Sequence, residues 1–135
     1  MSKRTIAILD KKAGIKLTKD FSSNEFDCKC SNSSCKTTLI DLEHVITLQK
    51  LRDLVGPLKI TSGFRCKKHN KSVGGSDTSQ HLKGTATDIQ SKRIQPNIIQ
   101  ATADVMFNGV GSYDTFTHVD SREGTLKARW NQRND

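Results

Sequence analysis

The sequence predicts an α+β fold in which a small antiparallel sheet is flanked by helices. Residues 41–55 and 96–107 have the pattern of helices, and short apolar segments suited to strands lie before, between and after them. These elements lack the regular strand–helix alternation that builds a parallel sheet. A chain of 135 residues has room for one compact domain. We therefore expect residues 1–135 to form a single domain, with residues 1–20 as an N-terminal arm.

The N-terminal third predicts one short strand followed by loops. Residues 6–9 are apolar and are closed by Asp10, which is too short for the apolar core of a secretory signal peptide, roughly 7–15 residues. Met1–Arg4 has the positive charge of such a peptide, but the apolar run that follows is so short that we interpret it as a strand. We therefore expect the protein to be synthesised in the cytoplasm. Residues 28–36 are rich in Ser and Asn, which is typical of a loop.

The helix over residues 41–55 has the clearest pattern in the chain. Its apolar residues recur at helical spacing, Asp41 is suited to cap its start, and a Gly-Pro pair follows its end. His44, within this helix, is predicted to be solvated. A strand is predicted at residues 58–61, and strands are favoured over residues 110–120, which contain few helix formers.

The charge of the chain favours anionic partners. The sequence has 22 Lys and Arg against 14 Asp and Glu, a formal net charge of +8, which suits nucleic acid or the anionic polymers of a bacterial envelope. The aromatic content is 5%, which offers little for stacking on bases. The apolar runs are only a few residues long, so we expect no insertion into a membrane.

The four cysteines leave three interpretations open: a structural zinc site, disulfides or free thiols. They are Cys28, Cys30, Cys35 and the distant Cys66. Their spacing lacks the paired C-x-x-C of zinc ribbons. A cytosolic origin weighs against disulfides before release.

Two histidines and two acids form a candidate site. His81 and Asp88 would lie about 10.5 Å apart along a continuous helix, so they converge only if the chain turns between them, and Gly84 can supply that turn. On a strand, His118 and Asp120 project to the same face. His81, Asp88 and His118 would offer zinc two nitrogens and one oxygen with a fourth position for water, which is a catalytic ligand set.

Several motifs follow one another in order along the chain. They are Ser62-Gly63-Phe64-Arg65-Cys66, His69-Asn70, Val73-Gly74-Gly75, Ser79-x-His81-x-x-Gly84-x-Ala86-x-Asp88 and Phe116-Thr117-His118-Val119-Asp120. Together they resemble the signature of the M15 zinc peptidases. The likeness covers about residues 20 to 130, and its densest part is the ordered spacing around His81.

The resemblance implies both a fold and an activity. The fold would be the zinc fold that D-Ala-D-Ala peptidases share with lysostaphin-type peptidases and the hedgehog signalling domain. The family includes D-alanyl-D-alanine carboxypeptidases and the L-alanyl-D-glutamate endopeptidases that phages use as endolysins. It implies one catalytic zinc ion held by His81, Asp88 and His118. It also gives Arg65 a substrate-facing role, in which a guanidinium grips an oxygen and offsets developing negative charge.

The general base is the weakest part of the match. Many relatives carry an acid three residues before the last zinc histidine, where this chain has Thr115. Asp120 shares the strand face of His118, whereas Asp114 lies about 13 Å away along that face. Asp120 is therefore our candidate base. In a second interpretation it is an acid that orients a zinc ligand.

Ser79, Gln80 and Tyr113 are further candidates for substrate binding, each with a structural alternative. Ser79 and Gln80 could simply form a turn beside the site, and Tyr113 could belong to the core. His69 is predicted to lie solvated in a basic loop. Trp130 is predicted to be a packing anchor.

The expected function is zinc-dependent cleavage of peptidoglycan stem peptides by a small phage lysis enzyme. Made in the cytoplasm, it would act as a monomer on the host wall after release. Its basic surface would attract it to anionic envelope polymers, and we expect no nucleic-acid partner. The alternative is a non-catalytic, zinc-containing cell-wall binding module.

Overall fold

The computed structural model describes residues 4–134 and contains, within them, two sheets and three α-helices. Met1–Lys3, part of the basic start considered above, lie outside the described residues. The strands are β1 (Ile6–Asp10), β2 (Thr37–Asp41), β3 (Lys59–Ser62), β4 (Ala86–Gln90), β5 (Gly109–Ser112), β6 (Thr117–Asp120) and β7 (Ala128–Asn131). The helices are α1 (Leu42–Val55), α2 (Lys67–Ser72) and α3 (Pro96–Ala103), with 3₁₀ helices at Ser23–Phe26 and Gln80–Lys83.

The larger sheet has the strand order β3-β4-β6-β5-β7, and β1 and β2 form a separate antiparallel pair. The α+β prediction is confirmed. The predicted antiparallel pairing is found for three of the four neighbouring pairs in this sheet, and the exception is β7, which runs parallel to β5. The connection from β6 to β7 crosses from one side of β5 to the other. Strand β7 then pairs with the outer edge of β5 and runs in the same direction as β5.

The hydrophobic core lies between the larger sheet and the helices α1 and α3. Leu48 and Leu51 of α1 pack in one cluster with Ile89 of β4, Ile99 of α3 and Val119 of β6, all almost fully buried. Burial of this apolar surface is the main term that stabilises the fold. It also fixes β4 and β6 as the central strands of the molecule.

Helix α1 begins and ends where the sequence predicts. The Asp41 carboxylate accepts hydrogen bonds from the backbone nitrogens of Glu43 (3.0 Å) and His44 (3.4 Å), which satisfies free donors of the first turn. His44, however, is only 1% exposed, so the prediction that it is solvated is wrong. Its ring lies 2.7 Å from Ser121 Oγ and 3.1 Å from Thr87 Oγ1, and burial lowers its pKa to about 3.

The second predicted helix is shorter than expected. Helix α3 ends at Ala103 instead of Phe107, and beyond that point Arg129 of β7 binds carbonyl oxygens that have no helical partner. Its guanidinium donates to the carbonyls of Asp104, Phe107 and Asn108 at 2.7–2.9 Å. The basic loop predicted around His69 is helix α2. Within residues 4–134, no helix is long and apolar enough to cross a bilayer.

Gly84 makes the turn that brings the chain from the second 3₁₀ helix into β4. Its φ is +75°, a left-handed conformation in which glycine avoids the strain of a side chain. A Cβ atom here would also clash with the carbonyl group of Leu39 at the neighbouring strand β2. Only a residue without a side chain satisfies both constraints.

We expect Gly84→Ala to lower the free energy of unfolding by about 2 kcal/mol or more, since left-handed strain and overpacking add. Gly74→Ala is the matched control, because Gly74 has a φ of +77° and no atom lies within 4 Å of the place that a Cβ would take. Urea denaturation monitored by circular dichroism would compare the two. Equal destabilisation would show that the contact with Leu39 is unimportant.

Candidate active site

A cleft of about 410 Å³ lies beside the central strands β4 and β6, which contribute Asp88 and His118 to its lining. It is the place where nearly all the site residues predicted from the sequence meet. The predicted residues that line it are Arg65, Ser79, Gln80, His81, Asp88, Tyr113 and His118. Asp120 is the exception, because it lies beneath the cleft and is fully buried.

Local structure brings Asp88 and the two histidines together. Asp88 on β4 is directly opposite His118 on the antiparallel neighbour β6. His81 lies in the 3₁₀ helix that precedes β4, where Ser79 Oγ accepts a hydrogen bond from the His81 backbone nitrogen (3.2 Å). The turn at Gly84 then folds this helix back over the start of the strand.

The ring of His81 is held in one tautomer. Its Nδ1 lies 2.7 Å from the carbonyl oxygen of Gly63, and a carbonyl can only accept, so Nδ1 carries the proton. The lone pair on Nε2 then points at Asp88 Oδ1, 3.3 Å away. A structural contact on one side of the ring thus prepares the other side to bind a cation.

His118 has the opposite tautomer. Its Nε2 lies 2.7 Å from Asp120 Oδ2, and Arg122 donates to both oxygens of the same carboxylate, at 2.8 and 2.7 Å. Burial would raise the pKa of Asp120, but the hydrogen bonds from Arg122 and His118 hold it well below its usual range. Asp120 is therefore an ionised acceptor, Nε2 donates to it, and the Nδ1 lone pair faces Asp88 Oδ1 at 3.0 Å.

Three acceptor atoms therefore converge with no donor of their own between them. His81 Nε2, Asp88 Oδ1 and His118 Nδ1 lie within 4.8 Å of one another, and all three residues are buried. Either protons or a metal cation must separate such atoms. Burial would raise the pKa of Asp88, but where protons fill this gap, hydrogen bonds from His118 and His81 hold that pKa well below its usual range.

The geometry fits a zinc ion. Tetrahedral ligands at about 2.0–2.2 Å from zinc lie about 3.3–3.6 Å apart, close to the separations of 3.0 and 3.3 Å from Asp88 Oδ1 to the two ring nitrogens. Two imidazoles and one carboxylate would hold a zinc ion through three ligands and leave one position for water. That is the arrangement of catalytic zinc sites rather than closed structural ones.

Arg65 lies at the rim of this cluster. Its Nη2 is 3.5 Å from Asp88 Oδ2, while its other nitrogens donate to Ser62 Oγ (3.2 Å) and to the buried Asn70 (3.2 Å). The guanidinium is thus aimed by two neutral partners and lines the cleft. The role of Asn70 was not predicted from the sequence. Its position five residues after Arg65, within a matched motif, was the signal that could have revealed it.

Comparison with models of protein families gives one match for the chain. Residues 19–120 match the model described as Peptidase M15, a segment that is more than half of the chain and that includes the three converging residues. The chain belongs to the M15 peptidase family. None of the curated proteins with which the sequence was compared matches it.

Membership of the M15 family identifies the chain as a metallopeptidase by descent, and the acceptor cluster supplies the metal-binding groups that such a peptidase needs. The predicted M15 resemblance is thereby confirmed. The matched segment ends at Asp120, so β7 and its Trp130 lie beyond the part of this M15 peptidase that the family model covers.

An aromatic wall borders the cleft of this M15 peptidase. Tyr113 stacks on Phe116 with ring centroids 4.2 Å apart, and Trp130 Nε1 donates to the Tyr113 hydroxyl oxygen at 2.9 Å. The Trp130 ring also lies 5.0 Å from that of His118. Trp130 is therefore a packing residue, as predicted, and a lining residue as well. Because the Tyr113 oxygen accepts from Trp130, its own proton can be donated into the cleft.

The other predicted residues have partly structural roles. Ser79 caps the 3₁₀ helix, and the Gln80 side chain accepts a hydrogen bond from Thr85 Oγ1 at 2.8 Å. Asp114 accepts hydrogen bonds from Asn134 and does not line the cleft. Arg122, which was not predicted from the sequence, lines the cleft and binds Asp120. Its spacing of two residues from Asp120 was a signal too common to be diagnostic.

If the three acceptors bind zinc, His81→Ala loses one zinc equivalent per chain and all peptidase activity, because two ligands do not replace three. Zinc content measured by plasma mass spectrometry after dialysis would test this. His69→Ala is the matched control, since His69 lies outside the cleft. Equal zinc contents in the two variants would contradict the assignment of His81 as a ligand.

Proposed function

We propose that this M15 peptidase uses one zinc ion, bound by His81, Asp88 and His118, to cleave peptide bonds in peptidoglycan stem peptides. The observation that carries the proposal is the convergence of three buried acceptor atoms at the base of an open cleft. A bound zinc ion lowers the pKa of its water to near 7 and polarises a scissile carbonyl. The side chains around the zinc ion would bind the substrate and orient the zinc ligands.

Arg65 is the proposed oxyanion and carboxylate binder. Its contacts with Ser62 and Asn70 are to neutral groups, and among the described residues its one ion pair is with Asp88, at 3.5 Å. Stem peptides carry free carboxylates beside their D-residues, and a guanidinium binds such a group in a fixed geometry. Tyr113 is the proposed second donor, and Ser79 and Gln80 line the same cleft.

For Asp120 the geometry favours the orienting role over that of the general base. It is fully buried, and it accepts from His118 Nε2, on the side of the ring away from Asp88. A carboxyl group whose pKa is held far below its usual range is also a weak proton acceptor. We therefore propose that Asp120 fixes the tautomer of His118 and raises its strength as a ligand.

This role predicts different effects for two substitutions. Asp120→Ala should weaken zinc binding by about 10- to 100-fold, as loss of such outer partners does. Asp120→Asn should retain most of the zinc affinity and measurable activity, because its amide oxygen can still accept from Nε2. Zinc affinity by competition with a chelator, alongside kcat, would separate the roles. If both variants bind zinc normally and both lose activity, Asp120 is the base after all.

A second candidate function is a zinc-containing wall-binding module without catalysis. It is favoured by Thr115, which stands where many relatives carry an acid, and by the cleft itself. Among the described residues that line the cleft, Asp88 is the only carboxylate. Such a module would bind peptidoglycan but leave every stem peptide intact.

Digestion of purified peptidoglycan distinguishes the two candidates. We expect cleavage that a chelator stops and added zinc restores, with the new termini identified by mass spectrometry. Release of free D-Ala would identify a carboxypeptidase, whereas a new amino-terminal D-Glu would identify the endopeptidase. His81→Ala protein is the control for contaminating hydrolases. No cleavage under any metal condition would overturn the enzyme and support the binding module.

The proposed setting is phage lysis, in which a small wall hydrolase reaches the peptidoglycan of its host. The net charge of +8 would attract the protein to anionic envelope polymers. Lysis of whole cells should then slow as salt screens this attraction, while cleavage of soluble fragments should not. An equal response of the two rates to salt would contradict this use of the charge.

A further inference from the structure

The four cysteines of the chain converge on one point outside the cleft. Cys66 Sγ lies 3.8 Å from Cys28 Sγ and 3.9 Å from Cys30 Sγ. With Cys35 included, all four sulfur atoms lie within 4.8 Å of one another. Three of them belong to the segment between the first 3₁₀ helix and β2, while Cys66 caps the start of α2.

The separations of the sulfur atoms match a tetrahedral metal site. Zinc–thiolate bonds of about 2.3 Å place neighbouring sulfurs about 3.8 Å apart, which is the observed spacing of Cys66 from both Cys28 and Cys30. A disulfide instead joins two sulfurs at about 2.05 Å and leaves other cysteines out. Here Cys66 has two equivalent neighbours, so no pair is singled out.

The surroundings of the cluster suit negatively charged sulfur. The backbone nitrogen of Cys66 donates to Cys28 Sγ, and that of His69 donates to Cys66 Sγ, both at 3.4 Å. Lys11 Nζ lies 3.7 Å from Cys30 Sγ. Four thiolates and one zinc ion carry a net charge of minus two, which such donors offset. The depression beside the cluster is lined by further cations, namely Lys12, Lys29 and Lys36.

The loop that carries these cysteines lacks an apolar anchor of its own. From residue 29 to residue 36 no side chain is buried, so hydrophobic burial contributes little to its order. Within it, Asn32 makes a local turn by accepting from Ser34 and from the Cys35 backbone. Small or weakly packed segments of this kind are commonly fixed by a metal ion or a disulfide.

We propose that Cys28, Cys30, Cys35 and Cys66 form a closed structural zinc site that fixes the loop of residues 28–36 to the start of α2. The spacing of the first three cysteines does not resemble a zinc ribbon because the fourth ligand comes from a distant part of the chain. This site is separate from the cleft and does not depend on the proposed peptidase activity.

The site has a structural consequence for the cleft. Cys66 directly follows Arg65, whose backbone nitrogen donates to the His81 carbonyl at 3.1 Å. Two residues earlier, Gly63 provides the carbonyl that fixes the His81 ring, and the Phe64 nitrogen donates to the Phe26 carbonyl at 2.9 Å. Zinc at the cysteines would hold the backbone segment that carries the Gly63 carbonyl and Arg65.

Zinc content tests the proposal directly. We expect two zinc equivalents per chain in the unaltered protein, one in His81→Ala, and one in Cys35→Ser. The double variant should bind none. Ser33→Ala, in the same loop and without a ligand atom, is the matched control and should keep two. Cobalt substitution of the His81→Ala protein should give the intense near-ultraviolet band of thiolate-to-metal charge transfer.

A second measurement avoids any variant of the cysteines. Treating folded His81→Ala protein with a mercurial thiol reagent should release one zinc equivalent as four thiols react, detected with a zinc-sensitive dye. Zinc-free His81→Ala protein with four reactive thiols would overturn the proposal. So would a mass two or four hydrogens lower than the fully reduced chain, which indicates disulfides. Two zinc equivalents without peptidoglycan cleavage would support this site while refuting the proposed function.

Discussion

Three lone pairs that point at one another inside the protein are the constraint on which the site depends. The two imidazole nitrogens and the Asp88 oxygen repel unless a cation lies between them. Each histidine is prevented from relieving this by changing tautomer, since Gly63 accepts the proton of one ring and Asp120 that of the other. The protein thus pre-organises a receptor for a positive ion.

The rest of the fold serves to hold these atoms in place. The pairing of β4 with β6 sets Asp88 opposite His118, and the core beneath them fixes both strands. The buried Asp120 is kept ionised by the guanidinium of Arg122, which donates to both carboxylate oxygens. This guanidinium lies 5.5 Å from the centre of the Trp130 ring.

Features that depend on local chemistry could be predicted from the sequence. The cap at Asp41, the turn at Gly84 and the common face of His118 and Asp120 follow from spacing and residue type alone. The parallel edge strand β7 could not be predicted, because its direction depends on which edge of the sheet is free. The burial of His44 was missed for a similar reason. Its polar partners, Thr87 and Ser121, come from distant segments, although its spacing from Leu48 and Leu51 places it on the buried face.

Strand β5 contributes no side chain to the face on which the site is built. A Cβ atom at Gly109 would overlap the Asp120 carboxylate, and one at Gly111 would overlap the Trp130 ring. Since side chains alternate along a strand, a slip of one residue would place Val110 and Ser112 in those positions. The site therefore opposes a shift of β5 by one residue, so Asp120 and Trp130, which surround the candidate ligand His118, also help to set the register of the sheet.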